Sequence, residues 1–260
     1  MTGTISLLGL AASAVLIVVV VVISLRWHLG LERTIVWSAL RAFVQLSVIG
    51  LALKVVVDPD EPLIWSWLWV VAMLVFAGWT ARRRAPDVPG VAVLTMAAYS
   101  VAVAVTLGVL FGLRVFDANG RTIVPLTGML VGNSIAATVL VGRRITEEMR
   151  DKREEVEARL ALGLPGPVAA RPYVRGAVRT ALVPQIETTK AVGIVFLPGA
   201  MVGLILAGAD PIQAVRVQVA VMYLVLGSVA MTTSVVAIGL ERRLLTHDHR
   251  LVPLPPRGVH

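Results

Sequence analysis

The 260-residue chain contains no cysteine, and only 15% of its residues are charged. The lack of cysteine excludes a disulfide framework, a thiol nucleophile and a cysteine-ligated metal site. The low charge sets the chain apart from soluble domains, in which about a quarter of the residues are charged. The sequence also lacks the phosphate-loop pattern G-x-x-x-x-G-K-S/T, so any ATP chemistry would have to come from another chain.

Hydrophobic residues make up 57% of the chain, and the mean hydropathy is +0.83. The charged residues cluster between long apolar runs, which is typical of a polytopic membrane protein. A net charge of +8 would suit a nucleic-acid-binding protein, but the basic residues sit at the ends of apolar runs, where they orient membrane spans. We therefore expect the lipid bilayer, and no nucleic acid, as a partner. The four histidines lie outside the apolar runs, at His28, His247, His249 and His260.

Seven apolar runs each come near the roughly 20 residues that cross a bilayer as a helix. The predicted spans cover residues 5–25, 36–57, 63–81, 91–112, 123–142, 183–206 and 212–239. The first run is interpreted as a retained helix, because no basic residue precedes it and its small residues come before its valine run, not after it. The predicted fold class is all-α: a polytopic membrane protein of about seven transmembrane helices, in a single domain over residues 1–260.

The distribution of Lys and Arg predicts how the chain is oriented. With the N-terminus outside, the inner loops and tail would hold 18 of these residues, and the outer loops would hold 4. Because positive charge favours the cytoplasmic side, we predict an outer N-terminus and a cytoplasmic C-terminus, in a bacterial plasma (inner) membrane. This orientation requires an odd number of spans, which agrees with seven.

Residues 143–182 separate the fifth and sixth predicted spans and are predicted to lie in the cytoplasm. Acidic and basic residues alternate along 143–163, often three or four positions apart, which favours a solvated helix that continues the fifth span. The sequence GLPGP ends that helix, and a second, basic amphipathic helix follows. The segment is either a loop on anionic lipid headgroups or a rigid element on which a soluble partner acts, since long connections tend to be functional.

Two predicted spans share the pattern L-x-G-x-x-V-G, in LTGMLVG (126–132) and LPGAMVG (197–203). Each contains two glycines four residues apart, a spacing that lets membrane helices approach closely. These packing glycines are Gly128, Gly132, Gly199 and Gly203. They could pack inside one chain, which we expect, or across a dimer axis. Leucine at Gly199 or Gly203 should then damage packing more than leucine at Gly208, in an outer loop.

Polar side chains inside membrane spans are costly and often functional. We predict a substrate path or gate at Gln45, Asn133, Ser134, Glu187, Lys190 and Pro198. Further polar residues within the spans are Arg41, Gln185, Thr188 and Gln218. Pro198 produces either a static kink or a broken helix that lines the path. Glu187 and Lys190 are expected within about two turns of the inner surface, where snorkelling and a local ion pair would explain them, whereas Asn133 is deeper.

Three stretches carry a resemblance to a known family: EARLALG from residue 157, LTGMLVGNSIAATVL from residue 126, and RPYVRGAVRTALVPQIETTKAVGIVFLPGAMVGLILAGADPIQAVRVQ from residue 171. They resemble the Fet-type permeases of ATP-binding-cassette (ABC) transporters, the iron-export membrane subunits, a group that also includes a plant aluminium-tolerance permease. The resemblance covers most of the chain and is strongest from 121 to 222.

The resemblance implies a permease that exports iron or another metal or small solute, driven by a separate ATPase subunit that holds ATP and Mg²⁺. No cofactor is expected on this chain, which would not itself be an enzyme, and the permease is expected to act as a homodimer. The opening of EARLALG is similar to the coupling loop of ABC importers, although Arg159 replaces the second Ala of Glu-Ala-Ala. The implied coupling residues are Glu157, Ala158, Arg159, Leu160, Leu162 and Gly163.

The residues by themselves leave the transport chemistry open. Hard oxygen ligands and imidazole would be expected for iron, but the predicted spans contain no histidine and only Glu187 as a carboxylate. The metal-binding residues are therefore unknown, and the iron assignment follows from the resemblance alone. The alternatives are an ion-coupled secondary transporter, which needs a membrane-buried acid, and a membrane scaffold or sensor that signals through 143–182.

Overall fold

Helices make up nearly all the regular structure. A computed structural model describes residues 7–56, 58, 61–246, 248 and 250–254. Within these ranges the helices are α1 (Leu7–Arg26), α2 (Glu32–Val56), α3 (Leu63–Arg84), α4 (Val91–Gly112), α5 (Gly120–Asp151), α6 (Arg153–Ala161), α7 (Gly166–Ala191), α8 (Gly199–Leu206) and α9 (Pro211–Leu244). The predicted all-α class is confirmed.

Helices α5 and α9 form the centre of the bundle. They pack against each other and against α4 and α7, while α3 packs on α4 and α5, and α8 packs on α9. We call the end of the bundle with the C-terminal ends of α5 and α9 the inner end, after the predicted orientation. An inner core surrounds Ile145 and Leu240, and an outer core surrounds Leu130 and Leu224. Helices α1 and α2 pack mainly on each other, beside α3.

Side-chain caps fix where the two central helices begin at the outer end. Asn119 accepts a hydrogen bond from the Thr122 amide over 3.1 Å, and Asp210 accepts one from the Gln213 amide over 3.0 Å. Each bond satisfies an amide that has no partner inside the helix. Pro211, at the first position of α9, has no N–H to satisfy there.

Several polar residues in the bundle interior form hydrogen bonds within their own helix or to a neighbouring helix. The Tyr99 and Thr138 hydroxyls lie 2.6 Å apart between α4 and α5. The Thr138 and Thr232 hydroxyls bond carbonyls one turn back in their own helices, over 2.9 and 2.8 Å. Such bonding removes the cost of a polar group in an apolar interior.

Five of the seven predicted spans coincide with helices that are long and apolar enough to cross a membrane. Within the described residues these are α3, α4, α5 and α9 along their whole length, and α2 through Leu53. The first predicted span corresponds to α1, whose apolar stretch, Ala12–Arg26, is shorter. Residues 5, 6 and 57 of the predicted spans, and His247, His249 and His260, lie outside the described residues.

The predicted sixth span, 183–206, is not one helix. Helix α7 runs through the predicted second cytoplasmic helix and into this span, ending at Ala191, and α8 begins at Gly199. Two local features explain the break: Gly193 has φ +85°, and Pro198 has no N–H to bond back to the preceding turn. The charged helix predicted over 143–163 also divides, at Lys152, between α5 and α6.

Candidate functional site

The break between α7 and α8 exposes a loop of seven residues, 192–198. The loop is closed by a bridge between Val192 and Phe196, in which the Gly193 amide donates to the Phe196 carbonyl over 3.0 Å. Pro198 then caps α8 in an extended conformation, with φ −62° and ψ 144°. The structure therefore shows a broken helix before Pro198, and the interpretation that this break lines a substrate path stays a prediction.

A cavity of about 240 Å³ lies between α5, α7, the loop and α9. We call it the amide cavity, because its wall includes Asn133, Gln185 and Gln218, together with Met129, Thr188 and Pro198. A second cavity of about 400 Å³ lies on the other flank of the loop, with Thr189, Gly193, Met201 and Tyr223 in its wall. Gln218 and Met222 line both, so the two cavities adjoin.

Gln218 is the most unusual polar residue of the site. Its side chain is only 5% exposed, and its Oε1 atom accepts no hydrogen bond from the described part of the chain. A buried polar atom without a partner costs about 1–3 kcal/mol. Because the residue lines both cavities, a rotation of its side chain would turn this acceptor toward a solute or water in either one.

Two of the predicted path residues line the amide cavity, and two others do not. Asn133 and Pro198 line the amide cavity, where the Asn133 Nδ2 atom donates to the Met129 carbonyl over 2.7 Å. Ser134 is fully buried and donates to the Leu130 carbonyl over 2.8 Å. Gln45 lies on the exposed helix α2, away from both cavities. Only the first pair shares a site with Gln218.

Glu187 and Lys190 were predicted to lie near the inner end, but the structure places them farther from it. They belong to the last turn and a half of α7, and the intervening Thr188 shares the amide cavity with Asn133. Asn133 is in the middle of the apolar run 123–142, so the pair lies at membrane depth. The reason is that α7 continues from the inner end to Ala191, which carries these residues much deeper than a span that begins at 183 would.

The predicted packing glycines have few neighbours within the chain. A Cβ atom added to Gly132, Gly199 or Gly203 would have no heavy atom within 4 Å, apart from its own backbone, and at Gly128 only Met73 Cε comes as near as 3.7 Å. The structure therefore gives no support to the expectation that these glycines allow tight packing inside one chain. Gly208 has φ +91°, which favours the opposite of the expected ranking, and the ranking itself stays a prediction.

At the inner end, α6 and α7 form a hairpin whose tip is Leu162–Pro165. The Leu162 side chain is 83% exposed, and Gly163 makes the turn with φ +84°. Val156 on α6 is fully buried in the inner core beside Val174 of α7. The hairpin therefore has a packed base and an exposed apolar tip, and all six predicted coupling residues lie on it.

Polar contacts hold the two arms of the hairpin together. The Tyr173 hydroxyl on α7 donates to Glu155 Oε2 on α6 over 2.9 Å, and the Arg159 guanidinium lies 5.9 Å from the Tyr173 ring centre. The bond from Tyr173, together with Lys152, lowers the pKa of Glu155. Partial burial and the bond to Glu155 raise the pKa of Tyr173.

The C-terminal tail also contacts α6, which the sequence did not indicate. Leu251 is buried in the inner core with Val156, and its carbonyl accepts a hydrogen bond from Arg153 over 3.5 Å. The Val252 amide donates to the Leu244 carbonyl over 2.9 Å, which folds the tail back on α9. The short apolar run Leu251–Leu254 was the only signal that could have pointed to this packing.

The cavity walls offer amides, hydroxyls and thioethers, groups that bind a solute by hydrogen bonding and contact. Among the described residues, no three His, Asp or Glu side chains come together as metal ligands would. The cavity walls thus carry the mixture of apolar contacts and a few polar groups that is common in small-molecule sites.

Comparison with known proteins identifies relatives along nearly the whole chain. A model of the family described as "Uncharacterised protein family (UPF0014)" matches residues 7–245. The chain is 30% identical to the Escherichia coli "Probable iron export permease protein FetB" over 94% of each chain. It is 37% identical to the rice "UPF0014 membrane protein STAR2" over 84% of this chain and 76% of the relative.

A third relative is the Arabidopsis thaliana "Protein ALUMINUM SENSITIVE 3", which is 33% identical over 86% of this chain and 81% of its own length. The bacterial and plant relatives are thus similar to this chain over comparable lengths. No solved structure matches the chain.

Proposed function

The chain belongs to the UPF0014 family of membrane proteins, and we propose that it is the permease subunit of an ABC transporter whose ATPase is a separate chain. One observation carries the proposal: helix α7 joins the exposed apolar tip at the inner end to the two cavities at membrane depth. A soluble subunit that binds the tip could therefore act on the cavity wall through one continuous helix.

The tip supports a protein partner more than a lipid surface. Leu162 projects at the end of a hairpin whose base is packed and whose arms are tied by Tyr173 and Glu155. Rigid apolar residues on a small protrusion are well suited to fill a groove in another protein. ATP and Mg²⁺ would bind to that partner, and this chain would supply the path.

The finer features of the proposal are those predicted from the sequence. Seven segments would cross a bacterial plasma membrane, with the N-terminus outside and the C-terminus in the cytoplasm, and two copies would work with two ATPase subunits. The name of the Escherichia coli relative supports iron as the exported substrate. The amides of the cavity wall support a solute that forms hydrogen bonds, such as a complexed metal.

The test is purification of the chain in mild detergent from its own organism, followed by reconstitution in lipid vesicles. We expect a soluble ATPase to co-purify, and its ATP hydrolysis to rise several-fold when the permease is present. Leu162→Glu should remove both effects, whereas the exposed Glu154→Arg on α6 should retain them. A pure permease that transports without ATPase or ATP would refute the proposal.

The depth of Glu187 favours one second candidate, an ion-coupled secondary transporter. Such a protein needs an acid in the membrane that gains and loses a proton, and Glu187 lies at that depth. The Lys190 Nζ atom lies 2.9 Å from Glu187 Oε1, so Glu187 is held in an ion pair and is not a lone acid in the membrane. If Glu187→Gln abolished transport driven by a pH gradient in ATPase-free vesicles, this second function would replace the first.

A further inference from the structure

We infer that two copies of this chain meet along the exposed flank of α7, where Glu187 and Lys190 of each copy pair reciprocally with Lys190 and Glu187 of the other. The inference deepens the proposed function, because it names the surface on which two permease chains would complete the transport path. We call this surface the α7 flank; it comprises Val183, Ile186, Glu187, Lys190 and the loop 192–198.

Charge at membrane depth is the first reason. The Glu187 and Lys190 side chains are 61% and 66% exposed, although they form an ion pair. Charged side chains within membrane helices almost always face the protein interior or a water-filled cavity, because lipid cannot solvate them. In this chain they face outward, so another protein surface or an aqueous path must lie against them.

The shape of the flank agrees with a covered surface. A groove of about 560 Å³ runs along α7 past Val183, Ile186 and Lys190. The second cavity has Thr189 and Gly193 in its wall, next to Lys190 along the chain. Open space thus accompanies α7 from its middle to the loop.

Exposed irregular backbone is the second, independent reason. The Ile194 side chain in the loop is 90% exposed, and the loop belongs to neither α7 nor α8. Non-helical backbone at membrane depth occurs where protein covers it or where it lines water, but not where it faces lipid. The loop follows directly on Lys190, so one partner surface could cover both.

The charges favour a second copy of this chain over an unrelated partner. An interface with two-fold symmetry places residue i of one copy against residue j of the other, and the reverse. Glu187 and Lys190 are about 60° apart around α7 and about 4.5 Å apart along it, so under a two-fold axis parallel to the helix the acid of each copy comes opposite the base of the other. The glutamate of each copy would meet the lysine of the other, so four charges would be neutralised together.

The same argument sets the inner limit of the contact. Arg175 and Arg179 continue the groove toward the inner end, and two copies would bring these like charges together. Like charges facing each other across an interface cost several kcal/mol. The two α7 helices should therefore touch from about Val183 outward and separate below it, leaving an opening at the inner end.

Paired charge variants test the inference without any ATPase, so the result does not depend on the proposed function. Two differently tagged chains are co-expressed, one with Glu187→Lys and the other with Lys190→Glu. Either substitution breaks the ion pair within its own chain. Two copies of the same variant would bring only lysines, or only glutamates, together at the interface. A mixed pair places two lysines against two glutamates.

We expect mixed pairs to exceed self-pairs by about tenfold or more in pull-down from membranes, corresponding to about 1.4 kcal/mol. The wild-type chain should form self-pairs. If the two variants paired at random, or if each paired with itself as strongly as the wild type does, the inferred reciprocal contact would be wrong. That outcome is expected if lipid covers the α7 flank.

The natural absence of cysteine permits a second measurement of the same surface. Single variants Val183→Cys, Ile186→Cys and Ile194→Cys are treated with an oxidant or a short bismaleimide in native membranes. At least one should yield a cross-linked dimer several-fold more efficiently than the controls Phe76→Cys and Val105→Cys, which are exposed at membrane depth on α3 and α4. Equal or stronger cross-linking at the controls would refute the α7 flank as the interface.

Discussion

Tyr173 on α7 donates a hydrogen bond of 2.9 Å to Glu155 on α6, and this contact ties together the arms of the hairpin that carries the exposed tip. The Tyr173 ring also lies under the Arg159 guanidinium. One aromatic side chain thus connects an acid and a base of α6, and its removal should loosen the hairpin while leaving the membrane bundle intact.

Tyr173→Phe should raise the pKa of Glu155 back toward its ordinary value of 4.5, because the largest cause of the lowered pKa is this hydrogen bond. Amide exchange in α6 should also become faster. The measurements are an NMR titration of labelled glutamate and hydrogen exchange by mass spectrometry. Tyr223→Phe, on exposed α9 surface, is the control, and an unchanged Glu155 pKa in Tyr173→Phe would contradict the assignment.

The pKa shifts of this pair also define a pH window for the hairpin. A lowered carboxyl pKa contributes stability above pH 4.5 and loses it as the pH falls through the lowered value. A raised tyrosine pKa contributes stability below pH 10.0 and loses it as the pH rises through the raised value. Protection of α6 should therefore be flat between these limits and fall on both sides.

The tip should be sensitive to charge. Leu162→Glu is expected to weaken binding of an ATPase about a hundredfold, because an unpaired charge buried at a contact costs about 3 kcal/mol. The permease should still insert and fold, since Leu162 is exposed. The measurement is permease-stimulated ATP hydrolysis in vesicles, and full stimulation by Leu162→Glu would show that the tip is not the coupling element.

Controls for the tip must avoid two complications. Gly163→Glu would combine the charge with strain, because Gly163 has φ +84°, so Leu162 gives the cleaner result. Arg150 is only partly exposed, and its Nε atom is buried without a partner in the described chain, which makes it a poor example of a solvated charge. Charge reversal at Glu154, exposed on α6, should change stimulation little.

Gln218→Leu should separate stability from transport. The substitution removes a buried carbonyl oxygen that has no partner, so the unfolding temperature in detergent should stay the same or rise. Transport should fall, because both cavities lose their shared acceptor. Lower stability together with unchanged transport would show that Gln218 has a packing role only.

Glycine substitutions should rank by backbone conformation, not by the G-x-x-x-G pattern. Gly208→Ala should destabilise the chain by roughly 1–2 kcal/mol, because its φ of +91° lies in the left-handed region. Gly199→Ala and Gly203→Ala have open space for a methyl group and should leave the monomer as stable or slightly more stable, because alanine favours a helix over glycine. Thermal unfolding in a detergent that keeps the chain monomeric measures all three, and a larger loss at Gly203 would contradict this ranking.

Orientation is open to the same cysteine-free approach. Asp117→Cys should react with a membrane-impermeant maleimide added outside whole cells, and Lys152→Cys should react only after the cells are opened. The physical reason is the excess of Lys and Arg on the predicted cytoplasmic side. Labelling in the opposite pattern would invert the proposed topology.

Hydrophobic periodicity and length predicted most of the fold, because a bilayer restricts the spans to helices of about 20 residues. The same rule placed Glu187 wrongly. It treated 183–206 as one span, whereas packing on α5 and α9 keeps α7 helical through Pro172 and Pro184. Tertiary contacts of this kind override local helix breakers, and one sequence does not contain them.

The sequence identified individual residues of the candidate site but not their arrangement, again because it does not contain the tertiary contacts. Asn133, Gln185 and Gln218 were recognised because polar groups in apolar runs are conspicuous, but the sequence could not show which of them meet. The glycines that do bring helices together include Gly78 and Gly239, where an added Cβ would overlap Met96 and Leu94. Neither belongs to a G-x-x-x-G pair, because close approach depends on which face of each helix is turned inward.

The continuity of α7 constrains the length of this part of the chain as well as its composition. The helix spans 26 residues, or about 39 Å, between the tip and the loop. Deleting one residue of α7 before Glu187 would shorten the helix by about 1.5 Å and rotate Glu187 by about 100° relative to Leu162. Deleting seven residues would turn Glu187 by only about 20° relative to Leu162. It would, however, draw the tip about 10 Å toward the bilayer. Single-residue deletions should therefore be far less tolerated here than substitutions at the same positions.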